Sequence, residues 1–253
     1  MRTGLIIIGH IGSTRLEKKM LLPLGTETFI EQVFNEAMKK WNGPIIFATS
    51  SDAEDDILAD MAANKKIDVV RGHSTDILKR YLKAVNEHAL EAVVTWDGDD
   101  LFVDKQCLTL TKELLEKGNG FVKPKDLPYG TFSYGVSAAA IRTMAAFDSR
   151  KDTDGWQNYI TQIPSVKVAE YEIKKYAPLS RLRLTLDYPE DYSLIQKVFE
   201  FLEKNQTINT LDGIKEFSEQ FPRECLINQN RVEEYQKRWE QKYKENFLDE
   251  NKK

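Results

Sequence analysis

Short runs of β-branched and aliphatic residues alternate four times with helical apolar spacing in the first hundred residues. Nothing else in the chain restricts its fold as much. The runs are LIII at 5–8, IIFATS at 45–50, IDVV at 67–70 and AVVTW at 92–96, each of strand length. Between them Ile30, Val33, Phe34, Ala37 and Trp41 recur at spacings of three and four. Ile57, Leu58 and Met61 do the same, and so do Ile77, Leu78, Tyr81, Leu82 and Val85. Thr28 to Glu31 has the form of a capping box, residues 51–54 read as the cap of the second helix, and Pro44 opens the second strand. Strand–helix alternation of this kind predicts a three-layer α/β/α fold around a doubly wound, mostly parallel sheet.

The rest of the chain is less regular. Asp104 is placed to cap a helix running through Leu108, Leu114 and Leu115 and stopped by Gly118. From 120 to 140, prolines and glycines separate short strands, as in a pocket wall. The 142–180 region is polar, with Trp156, Tyr159 and Ile160 on a short helix and Val166, Val168 and Tyr171 alternating as in a strand. It reads either as an inserted β arm or as an edge hairpin on the same domain. Residues 181–186 alternate basic and apolar, as a strand does, and meet Asp187, Tyr188, Pro189, Glu190 and Asp191, where Pro189 suits a first helical turn. In the tail, Val232, Tyr235, Trp239, Tyr243 and Phe247 recur at helical spacing. The expected organisation is one domain over 1–225 and a helical tail over 226–253.

At 253 residues, 41% hydrophobic and 30% charged, the chain has the composition of an ordinary globule. Its net charge of −4 argues against a broad nucleic-acid surface and leaves room for a local basic pocket. Cys107 and Cys225 are far apart and lack metal spacing. No leader pattern and no apolar run of membrane length stand in the sequence, so the expectation is a cytoplasmic protein without a membrane partner.

Chemistry concentrates after the first strand. Gly9, His10, Gly12, Ser13, Arg15, Lys18 and Lys19 fall within one short span. Glycines let backbone N–H groups approach phosphate oxygens, Arg supplies a planar fork of donors, and Lys a mobile point charge. A phosphate-binding loop at the carboxyl end of a strand follows, the usual ligand position in such sheets. It is neither a Walker loop nor a G-x-G-x-x-G turn. Asp97, Gly98 and Asp99 end the fourth strand, where two hard oxygen ligands suit magnesium, although acidic turns are also common in plain loops. Asp187 alone reads as a helix-start acid.

The three places together resemble the cytidylyltransferases that activate sugar acids, in particular the spore-coat-polysaccharide branch. Their opening motif, roughly I-x-A-R-x-G-S-T-R-L-P-G-K, matches residues 7–19, with His10 where the family has Arg and Glu17-Lys18 for Pro-Gly. Asp99 matches the aspartate of a T-G-D motif, and residues 185–191 match T-x-D-x-P-E-D. Residues 48–56 and 71–81 resemble the A-T-S-x-x-x-E-D-D and R-G-x-x-x-D-V-L-x-R-Y segments. The resemblance implies the fold of nucleotide-diphospho-sugar transferases and CMP transfer from CTP to a sugar acid for surface polysaccharide, with release of pyrophosphate. It implies Mg2+ on Asp99 and Asp187, and a nucleotide held by Gly9, His10, Gly12, Ser13, Arg15, Lys19, Arg71 and Asp97. It also implies a homodimer through the arm. His10 is open between donating to phosphate and packing beside the loop. The acceptor segment departs from the family: residues 127–134 lack its acids, and Thr153-Asp154-Gly155-Trp156 stands where Glu-His is expected. Two rival readings are a D-x-D glycosyltransferase and a non-catalytic nucleotide-binding module.

Overall fold

In β1 (Thr3–Ile8) side chains alternate between two cores, Leu5 and Ile7 entering one and Ile6 the other, which is why the strand reads as one unbroken apolar run. The computed structural model of the chain describes residues 1–147, 153, 155–206, 211–234 and 237. A small two-stranded ribbon, β2 (Pro23–Leu24) and β3 (Glu27–Thr28), follows the first loop and leads into α1 (Phe29–Lys40). The capping box is present there, with Thr28 and Glu31 bonded reciprocally. Then come β4 (Ile45–Ser50), α2 (Asp56–Asn64), β5 (Asp68–Gly72), α3 (Ile77–Glu87) and β6 (Ala92–Asp97). The second half holds α4 (Lys105–Glu116), β7 (Phe121–Lys125), β8 (Gly135–Ser137), α5 (Ala138–Phe147), α6 (Trp156–Ile160), β9 (Val168–Glu172), α7 (Pro189–Lys204) and α8 (Leu211–Gln220).

The main sheet has seven strands in the order β5-β4-β1-β6-β8-β7-β9. All pairings are parallel except those of β8, which runs against both neighbours. The core on one face is filled from α1, α2, α4, α7 and α8, that on the other from α3, α5 and α6. This is the three-layer, doubly wound architecture the alternation predicts. Among the described residues no helix is long and apolar enough to cross a membrane.

Three local expectations differ from the structure, and a fourth falls partly outside the described residues. The second helix is not capped from 51–54: a 3-10 turn, Ala53–Asp55, precedes it, and the buried Asp55 turns inward to accept from Ser50 Oγ and, at 2.6 Å, from the Ile11 N–H. Buried donors at the loop and strand end have no water to bond, so they outbid the helix end for this carboxylate. Residues 181–186 form no strand. They are extended, with single pairings of Thr185 to Asp100 and Arg183 to Tyr129. Gly130 makes that approach possible, since it has φ +91° and a Cβ there would collide with the Leu184 carbonyl. The third difference concerns the inserted arm: β9 pairs in parallel with β7 as the outermost strand of the main sheet, so it is neither a separate arm nor half of a hairpin. Last, the tail is helical over 229–234, while Tyr235, Trp239, Tyr243 and Phe247 lie outside the described residues.

Candidate active site

β1 and β6 lie side by side with Ile8 opposite Asp97, so their carboxyl ends open at the same level. Gly98 turns the chain away from β6 while its N–H donates to the Ile8 carbonyl at 2.7 Å. A Cβ at that glycine would stand 2.7 Å from the same oxygen. Above this edge lies a cavity of about 750 Å³. Gly9, His10, Arg15 and Lys19 line it from the first loop, Asp97, Asp99 and Asp100 from the end of β6, and Asp187 from the turn before α7.

Lys19 ties the two distant acids together. Its Nζ stands 2.6 Å from Asp99 Oδ2 and 2.9 Å from Asp187 Oδ1. Arg15 ion-pairs with the same Asp187 oxygen, and Arg183 Nη2 donates to the other, Oδ2, at 2.7 Å. Burial opposes the charge on Lys19, but Asp99 and then Asp187 outweigh it and hold the ammonium above its ordinary range. Burial likewise opposes the charge on Asp187, where Lys19, Arg15 and Arg183 hold the carboxyl well below the usual carboxylate range. Asp100 has no such cation beside it among the described residues: burial, then Asp99 and Asp97, outweigh a hydrogen bond with Thr185 and push its carboxyl well above the ordinary value.

The residues expected at the site divide into two groups. Gly9, His10, Arg15, Lys19, Asp97, Asp99 and Asp187 all stand in the cavity wall. His10 Nε2 lies 3.1 Å from the Gly12 carbonyl, bracing the loop from within. Gly12 and Ser13 are not part of the wall, and the Ser13 N–H turns back to the Ile11 carbonyl at 2.7 Å. Arg71 is also outside. Its Nε donates to Ser50 O at 2.9 Å and its Nη2 to Asp52 O at 2.7 Å, and it pairs with Asp56, so it ties β5 to the turn after β4. The arginine that does reach the cavity from that quarter is the buried Arg80 of α3, in the same 71–81 segment. Sequence reading expected a pocket wall over 120–140, where Tyr129, Phe132 and Tyr134 stand beside Trp156, but passed over Asp100 and Arg183 as site residues. The run of acids at 97–100 and the basic–apolar alternation at 181–186 were the available signals.

The donor set suits a hard divalent cation. Oxygens of Asp97, Asp99 and Asp100 lie within 4.8 Å of one another, and the buried Asp100 Oδ1 has no hydrogen-bond partner among the described residues. Carboxylates crowded in this way repel one another, and a cation between them relieves both the repulsion and the orphaned oxygen.

A cavity at the carboxyl edge of a doubly wound sheet, walled by clustered cations and carboxylates, is the arrangement of an α/β protein that binds a charged ligand. A solved cytidylyltransferase from Leptospira borgpetersenii is 21% identical and superposes with a TM-score of 0.71 over 83% of this chain and 97% of that one. CMP:2-keto-3-deoxy-manno-octonic acid synthetase, solved in complex with CTP, gives a TM-score of 0.62 at 8% identity, over 79% of this chain and 99% of the other. In sequence, the spore coat polysaccharide biosynthesis protein SpsF of Bacillus subtilis is 25% identical over 206 residues, 77% of this chain and 85% of SpsF. Residues 5–242 match the cytidylyltransferase family as a whole, and the chain belongs to that family.

Proposed function

We propose that this protein transfers CMP from CTP to a small polyhydroxylated acceptor, a sugar acid destined for surface polysaccharide, and releases pyrophosphate. The observation that carries the reading is Lys19, held 2.6 Å from Asp99 and 2.9 Å from Asp187 inside one cavity. Family membership supports the cytidylyl donor. The acceptor class is supported by what SpsF and the keto-deoxy-octonic acid synthetase are named for.

Each residue then has a role set by its charge and place. Lys19 and Arg15 exchange their carboxylate partners for the β- and γ-phosphates and so neutralise the group that leaves. His10 and Gly9 shape the loop around that group. Asp97, Asp99 and Asp100 would hold Mg2+, with Asp187 joining them across Lys19. The ion, when bound, supplies further charge neutralisation at the α-phosphate. The acceptor lies against Tyr129, Phe132 and Tyr134, whose faces suit the C–H side of a sugar ring, and an acceptor oxygen is thereby aimed at the α-phosphorus. Positioning and electrostatics supply most of the acceleration in such a displacement.

A pyrophosphate-release screen tests the reading, with CTP and Mg2+ offered to panels of sugar acids, neutral sugars and phosphomonoesters. Release dependent on a sugar acid is the expected result. Turnover of no acceptor, with CTP bound, would turn the protein into a binding module. Tighter binding of a nucleotide diphosphate-sugar than of CTP would turn it into a glycosyltransferase.

A further inference from the structure

Beneath Asp187 the cavity floor continues into a second buried layer. Asp191, in the first turn of α7, is fully buried and accepts five hydrogen bonds. The N–H groups of Asp187 and Tyr188 reach its Oδ2 at 3.0 Å each, and Arg183 Nη2 reaches the same oxygen at 3.3 Å. Its Oδ1 takes Arg183 Nε at 3.2 Å and Asn228 Nδ2 at 2.7 Å. Asn228 Nδ2 also donates to the Arg183 carbonyl at 2.8 Å, so one amide grips both members of the ion pair. Arg183 then spans from Asp191 to Asp187 Oδ2.

Three cations, Arg15, Lys19 and Arg183, thus face three carboxylates, Asp99, Asp187 and Asp191. They are not equivalent. Arg15 and Lys19, which line the cavity, hold Asp187 Oδ1, while Arg183, which does not, holds Oδ2 and is itself 2% exposed. When a polyphosphate draws Arg15 and Lys19 away, Arg183 is the partner that remains. An arginine fork shared between two carboxylates fixes the plane of each, and the Asp191 bonds to the 187 and 188 amides fix the backbone that carries Asp187.

We infer that Arg183, bonded directly to Asp187 Oδ2, and Asn228, acting through Asp191 and Arg183, are positioning residues that present a single carboxylate edge of Asp187 to the nucleotide. The inference rests on the cytidylyl-transfer reading for what Asp187 does. It extends the site to the segment after α8, since Asn228 lies 37 residues beyond Asp191 and belongs to no motif of the phosphate loop.

A double-mutant cycle separates positioning from mere packing. Asn228→Ala should lower CTP turnover about 10- to 100-fold, the usual effect of losing a group that orients a site ligand, with the acceptor KM unchanged. In an Asp187→Asn background the same change should cost less than about 2-fold, because the group being aimed is already altered. Equal losses in the two backgrounds, or wild-type turnover in Asn228→Ala, overturn the inference. If Asn228→Ala gives no cooperative melt, Asn228→Ser carries the cycle. Affinity for inorganic triphosphate, measured calorimetrically across the same four proteins, provides a readout free of chemistry and of the base. A wild-type chain that binds triphosphate yet never releases pyrophosphate from CTP sinks the proposed function and leaves the cycle readable.

Discussion

Along the carboxyl ends of β1 and β6 the cavity wall is built of ion pairs, whereas the wall leading to β8 and α6 is built of rings. On the first side, Lys19 bridges Asp99 and Asp187 at 2.6 and 2.9 Å, Arg15 pairs with Asp187, and the buried Arg183 backs Asp187 at 2.7 Å. On the second, Tyr129 packs on Phe132 with centroids 5.9 Å apart, Phe132 meets Tyr134 edge to face at 5.6 Å, and Tyr134 meets Trp156 at 6.3 Å. Charge clusters depend on angle and distance and tolerate little change, because each member buried without its partner is costly. Ring walls are held by area and shape and accept many ligands of similar outline. On the proposed function, the contrast separates a charged half that would hold one triphosphate from a ring-lined half that would set the acceptor.

The largest effect should come from breaking the charged wall. Asp99→Ala and Lys19→Met are each expected to lower turnover of CTP by about 100-fold or more, measured as pyrophosphate release under saturation. Wild-type rates in either would erase the distinction between the two walls. The ring wall should answer differently: Phe132→Ala should raise the acceptor KM about 10-fold while the KM for CTP stays within about 2-fold. A matched rise in both would mean the rings hold the nucleotide.

Acid provides a third probe. Asp187 is held below its unfolded pKa of about 3.9, so its contribution to stability is complete above that value and fades as the pH falls through the lower, folded one. The urea midpoint should therefore drop on going from pH 5 towards pH 3 and below, and Asp187→Asn should flatten that drop. An unchanged slope in the variant would deny the carboxylate its strong pairing. The smallest effect belongs to Arg71→Ala. That side chain braces the turn after β4 outside the cavity, so affinity for CTP should change less than about 3-fold, at the level of an ordinary surface substitution. A tenfold loss by calorimetry would move the nucleotide towards β5.

The sequence made the charged half legible because its chemistry is local. Arg15 and Lys19 fall on one loop, Asp97 and Asp99 on one turn, and Asp187 directly before a proline that opens a helix. The strands that carry them are short apolar runs which periodicity identifies without knowledge of partners. What stayed hidden depends on contacts between distant segments. Arg71 and Arg80 are equally basic on paper, and only the packing of α3 beside β4 sends one inward and leaves the other on Ser50 and Asp52. The segment at 181–186 alternates like a strand, yet its strand-type pairings are single, Thr185 with Asp100 and Arg183 with Tyr129, so no ladder forms. Asn228 carries no local mark at all. Its role arises where the chain returns after α8.

The reversed direction of β8 has an outcome for how such proteins change. Because β8 runs back antiparallel between β6 and β7, the stretch from 126 to 134 joins the end of β7 to the start of β8 at the carboxyl edge of the sheet and places Tyr129, Phe132 and Tyr134 beside the acids as one excursion. On the proposed function, exchanging that excursion would change the acceptor, while the loop and acids proposed to hold the nucleotide keep their register.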